Sequence, residues 1–200
     1  MQKPNSYDTT QAGGDFVPVE LGGHYAVIKN VSERETKNGD PMIVVSIDFD
    51  KKDAQPGYFT DQFKKDVRPD KKYPNQATNY ITTEYGGACT KSFKSFMKAF
   101  ADSNGIAEDK IKWGEDFTSQ FKNKKIGVVF GNVEETYNGE TKMRRKIRWF
   151  CDYAEALKQA VPADKYEKIV NKSDSSSKNE TDEDGFMNIP EGTDEEIPFD

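Results

Sequence analysis

A mostly β domain with one main helix and a disordered acidic tail is the fold class this sequence predicts. Three observations carry that prediction. Two β-rich runs meet at Asn38-Gly39 and two more at Asn138-Gly139; a phenylalanine-striped segment lies between the two pairs; and the stretch after Val170 loses apolar residues and gains negative charge.

Residues 1–15 are polar and glycine-containing and read as a flexible arm, with order starting near Phe16. In HYAVIKNVSERETKNGDPMIVVSIDFD, strands at about 24–35 and 41–50 flank Asn38-Gly39, a pair that tolerates the positive φ angles of a type I′ hairpin turn. The second run alternates, with Ile43, Val45, Ile47 and Phe49 on one face and Met42, Val44, Ser46 and Asp48 on the other. Gly57-Tyr58-Phe59 and Asn79-Tyr80-Ile81-Thr82-Thr83 read as short strands, separated by the basic, proline-broken loop KKDVRPDKKYPN.

A helix follows at about 89–103. Phe93, Phe96, Met97 and Phe100 fall at i, i+3, i+4 and i+7, one stripe suited to core packing, and Asn104-Gly105 ends it. The second hairpin has strands at about 125–136 and 141–151. A short helix is expected at 152–160, with another turn or two at about 163–170. Beyond it, NKSDSSSKNETDEDG has no apolar residue, so ordering entropy has nothing to offset it and the segment is expected to be disordered. Hairpin, third strand, helix, hairpin is the element order of a five-stranded OB-fold barrel, which offers a strand face and loops to oligonucleotides or oligosaccharides. The domain is bounded at 16–170 and the tail at 171–200.

Composition narrows the function. No stretch approaches the roughly 20 apolar residues that span a bilayer. The opening MQKPNSYDTTQAGGDF lacks the apolar core of a secretory signal, which places the expectation in the cytoplasm. Cys89 and Cys151 stand far apart and read as reduced thiols. With one histidine, His24, and no P-loop, HExxH or GxSxG, neither an enzyme nor a cofactor is expected. The net charge of −6 is segregated: the tail has 2 Lys against 10 Asp and Glu, leaving 27 basic and 25 acidic residues in the body. A slightly basic body with an acidic appendage suits polyanion contact by the former.

The densest basic run is KMRRKIRW. On a strand, Lys142, Arg144, Lys146 and Arg148 share one face, with Met143, Ile147 and Trp149 opposite and Arg145 out of pattern. Stacked like charges cost stability unless something compensates, and a phosphate backbone would do so, with counterion release adding affinity. Single-strand binders pair such a groove with aromatic platforms, because every base has a π-face. The candidate platforms are Tyr137, Tyr58 and Phe59, with Tyr80 and Tyr85 behind them; Tyr137, beside the second turn, is the best placed. Lys29, Arg34 and Lys37 extend the positive track.

The tail closes with Asp194-Glu195-Glu196-Ile197-Pro198-Phe199, an acidic run and a short apolar anchor that suit a basic groove with an apolar pocket on a partner. This tip resembles that of bacterial OB-fold single-stranded DNA-binding proteins. In that family phenylalanine usually comes last, whereas Asp200 follows it here. GGHYAVIKNVSERETKNGDPMIVVSIDF, PGYF at 56–59, KSFKSFMKAF and the region from KKIGVVFG to KIRWF are similar to the divergent versions carried by bacteriophages and mobile elements of Gram-positive bacteria. The resemblance implies sequence-independent coating of single-stranded DNA during replication, recombination or repair, with the tail recruiting the enzymes of those processes. Monomers, dimers and tetramers all occur among such binders, so a homo-oligomer stays open. Two rivals remain: a Mg²⁺-dependent nuclease using Asp48, Asp50 or other carboxylates, and a barrel that binds protein partners and no nucleic acid.

Overall fold

The computed structural model describes residues 1–3, 7–8, 17–137 and 139–166. Strands β1 (Gly22–Glu35) and β2 (Pro41–Phe49) form the first hairpin, and helix α1 (Tyr58–Lys65) follows. Then come β3 (Thr78–Thr82), the two-residue strands β4 (Glu84–Tyr85) and β5 (Ala88–Cys89), and helix α2 (Lys91–Asn104). The second hairpin is β6 (Lys125–Tyr137) and β7 (Glu140–Cys151). The main sheet is antiparallel in the order β3-β2-β1-β6-β7.

A closed barrel is expected from the element order, but the ladder is open. No backbone pairing joins the edge strands β3 and β7 among the described residues. Helix α2 packs against β3, β6 and β7 and fills the gap between them. Its stripe works as the spacing predicts: Phe93, Phe96, Met97 and Phe100 are all buried. Thr90 starts the helix, its hydroxyl accepting from the Phe93 N–H, and Gly105 ends it at φ 61°.

The first hairpin forms, but not through a type I′ turn. Gly39 is left-handed at φ 83°, whereas Asn38 is not among the residues with positive φ. The Thr36 N–H instead donates to the Asp40 carbonyl, and three residues make the loop, one of the commoner hairpin connections. Of the second turn, Gly139 has φ 79°, and Asn138 lies outside the described residues.

The expected strand at Gly57-Tyr58-Phe59 is helical. Asp48, at the end of β2, accepts the Phe59 N–H at 3.0 Å and the Thr60 hydroxyl, which nucleates a first helical turn. Gly57 at φ 67° lets the chain swing into it. Phe59 is carried into the core against Phe49 and Phe130.

The C-terminal segment forms a strap over the outer face of the sheet. A 3-10 helix, Tyr153–Lys158, lies over β1 and β6. Residue 165 then bridges in parallel to Val133, with the Glu134 N–H donating to the Lys165 carbonyl and the Lys165 N–H to the Asn132 carbonyl. Extended pairing thus stands where further helical turns are expected. Glycines make the close approach feasible: a Cβ on Gly23 would lie 1.7 Å from the Ala156 carbonyl oxygen, and one on Gly131 2.5 Å from Pro162. No helix among the described residues is long and apolar enough to cross a membrane.

Candidate nucleic-acid interface

Two surfaces of the sheet carry the residues that the sequence offers for a polyanion site. The first is the outer face of the β6–β7 hairpin. Phe130 and Ile147 are register partners and both are buried, so alternation places Glu135, Lys142, Arg144 and Lys146 on the opposite, outer face. Three of the four predicted rungs are therefore in line. Arg148 is not: the register shifts at Val129/Phe130, leaving Arg148 as the unpaired residue of a β-bulge. Its guanidinium donates to the Ala163 carbonyl at 2.9 Å, so it ties down the strap rather than extending the ladder.

The ladder is also not the bare stack of cations that the spacing suggests. Glu135 pairs with both Arg144 and Lys146, and Glu140 pairs with Lys142 at 2.5 Å. Such half-exposed pairs contribute only about 0–1 kcal/mol each, so separating them costs little. The out-of-pattern Arg145 has a structural contact instead. From the inward-facing side of β7 it donates to the Val19 carbonyl and pins the N-terminal segment. Neither partner is signalled by local sequence, since one lies 11 residues from Lys146 across a turn and the other 126 residues from Arg145.

The second surface is the outer face of β1, β2 and β3. Register places Ser32 and Arg34 of β1, Met42 and Val44 of β2, and Tyr80 and Thr82 of β3 side by side on it. Val44 is buried beneath, while Tyr80, its register partner, remains 39% exposed. Lys37 is exposed in the turn beyond Arg34, and Lys29 sits half-buried at a second bulge, between Ile28 and Asn30. β6 runs antiparallel to β1, and its basic hairpin extends past the Gly22–Phe130 pair, so Lys37 and the β7 cations lie at opposite ends of the sheet. They do not form one contiguous track. β7 does come alongside the 3-10 turn Asn75–Ala77 that leads into β3.

Two predicted platforms are corrected. Phe59 is fully buried and packs edge-on against Tyr58, so it has no face for a base. Tyr58 is half-buried, and its hydroxyl donates to the Val17 carbonyl at 2.9 Å. Burial pushes the Tyr58 phenol upward, outweighing the opposing pull of Arg145. Tyr137 pairs with Glu140 through its backbone, but its side chain lies outside the described residues, as does the whole tip from Asp194 to Phe199.

The two carboxylates named for the nuclease reading have partners within the fold. Asp48 serves Phe49, Phe59 and Thr60, and Asp50 accepts from the Lys52 N–H and the Tyr153 hydroxyl. Among the described residues no group of three His, Cys, Asp or Glu side chains is arranged to hold a metal. Compared with known protein families and with curated protein sequences, the chain matches none.

Proposed function

We propose that this chain is a single-stranded DNA-binding protein built on an OB-type sheet, binding without sequence preference in replication and recombination. One observation carries the reading: half-exposed Tyr80 stands on the outer face of β3, which Arg34 of β1 shares across β2, and β7 of the basic hairpin comes alongside the 3-10 turn that leads into β3. A stacking ring between cationic flanks is what a strand with unpaired bases and a charged backbone requires. The strand order, with α2 in the β3-to-β6 crossover, supports the OB assignment, whose strand face and hairpin loops are its usual oligonucleotide surface. The acidic tip at 194–199 recruits partner enzymes in this reading. The protein acts as a scaffold and needs no cofactor.

The test is fluorescence anisotropy with a labelled oligo-dT strand over a salt series, on the full chain and on Tyr80→Ala. Steeply salt-dependent binding, with duplex bound poorly and affinity reduced in the variant, is expected. No binding of oligo-dT at low salt would overturn the proposal and favour a protein-binding barrel.

A further inference from the structure

The one histidine of the chain is buried at the base of the sheet with both ring nitrogens facing oxygen. His24 Nδ1 is 3.1 Å from Asp53 Oδ1, and Nε2 is 3.0 Å from the Glu20 carbonyl oxygen. Neither oxygen has a proton to give. A neutral imidazole donates from one nitrogen only, which would set its other lone pair against an acceptor in a buried site. Asp53 is fixed by two further donors, the Tyr25 N–H at 2.9 Å and the Gln55 N–H at 3.0 Å. The ring is stacked on Phe49, with centroids 4.3 Å apart, and meets Phe130 edge-on. These contacts leave it no alternative orientation toward solvent.

The Glu20 carbonyl belongs to the segment at 17–20 that enters the fold. Its Val19 is fully buried in the core. The same segment is held by Tyr58 at the Val17 carbonyl, by Gln55 at the Pro18 carbonyl and the Glu20 N–H, and by Arg145 at the Val19 carbonyl. His24 is the member of this set that can change charge in the neutral range.

We propose that His24 is a buried imidazolium latch, whose proton fastens the segment at 17–20 to the sheet and whose loss on raising the pH opens that segment, freeing Val19 and the Arg145 guanidinium. The acidic groups facing the ring are Asp53, from the loop after β2, and Glu20, from the segment itself; the aromatic rings on its other sides are uncharged. Burial alone disfavours the charge, but the Asp53 hydrogen bond, the Glu20 carbonyl and the two negative charges outweigh it and hold the pKa above 6.5. A group raised in this way contributes stability that is complete below its unfolded value and is lost as the pH climbs through its folded value.

The lone histidine makes the test clean. Its ring nitrogens are followed by long-range ¹H–¹⁵N NMR from pH 5 to 9, together with the exchange protection of the Val19 and Glu20 amides. The expected result is a ring whose second proton titrates with a midpoint above 6.5, with protection falling about tenfold for each unit of that excess as the pH climbs through that midpoint. A midpoint at or below 6.5, or a raised midpoint with unchanged protection, would each overturn the latch. In Asp53→Asn the midpoint should drop and the segment should open at a lower pH than in the wild type; if that variant does not fold, the wild-type titration decides alone.

Discussion

Glu135 and Lys146 face each other across the β6–β7 hairpin as an ion pair, and the second oxygen of the same carboxylate lies 3.5 Å from Arg144 Nε. One anion therefore neutralises two of the cations that the proposed function assigns to a phosphate backbone. Glu135→Gln should release both. Oligo-dT binding is expected to tighten several-fold, with the log–log salt slope steeper by about one phosphate equivalent. Unchanged affinity and slope would remove these two cations from the strand's path.

Arg148 and Arg144 should behave differently, although spacing alone gives them the same role. Arg144→Ala removes an exposed cation and should flatten the salt slope with little effect on stability. Arg148→Ala breaks the tie to the Ala163 carbonyl and should cost about 1–2 kcal/mol in urea unfolding while leaving the slope unchanged.

Phe59 and Tyr80 form a second contrasting pair. Phe59→Ala empties a fully buried site and should cost about 3–5 kcal/mol of stability. Tyr80→Ala should be nearly neutral for folding yet weaken strand binding by about 1–3 kcal/mol, the usual contribution of one stacked base. Urea melts and anisotropy on the two variants separate the effects.

Gly23→Ala tests the strap. The added methyl would collide with the Ala156 carbonyl, which is backbone and cannot rotate away. A loss of at least about 1–3 kcal/mol is expected by calorimetry.

The two thiols should differ in alkylation rate. Burial, with Asp152 and Glu155 adding to it, pushes the Cys151 thiol up to about 11, so it stays protonated at neutral pH. Cys89 is exposed. Ellman's reagent should find one fast and one slow thiol in the native protein, and two fast thiols in urea.

Much of this architecture is legible in the residues. The alternation of 42–49, the helical stripe of Phe93, Phe96, Met97 and Phe100, and the positions of the two hairpins each depend on neighbours within a few positions, and local pattern carries that information. What escapes depends on distant partners. PGYF has strand-like composition, but Asp48, 11 and 12 residues upstream of its two partners, captures the Phe59 N–H and the Thr60 hydroxyl and turns the segment into helix. Arg148 fits the cation ladder until one inserted residue at the bulge reassigns it. His24 looks idle in the sequence because Asp53 and the Glu20 carbonyl reach it only once β1 has folded back against the loop after β2. A lone histidine with a carboxylate 29 residues downstream is not a local signal.

The strap also fixes where the domain can be cut. Gly23 and Gly131 are bare so that the chain after Tyr153 can lie on them, and the last backbone pairing described joins Val133 to Lys165. A fragment stopped at Cys151, where the last main strand ends, would strip away the Ala163 acceptor of Arg148 and leave the outer face of β1 and β6 exposed as apolar, glycine-lined backbone. Such a fragment would tend to self-associate. The shortest self-sufficient piece of this protein therefore runs past Lys165, about fourteen residues beyond the end of its sheet.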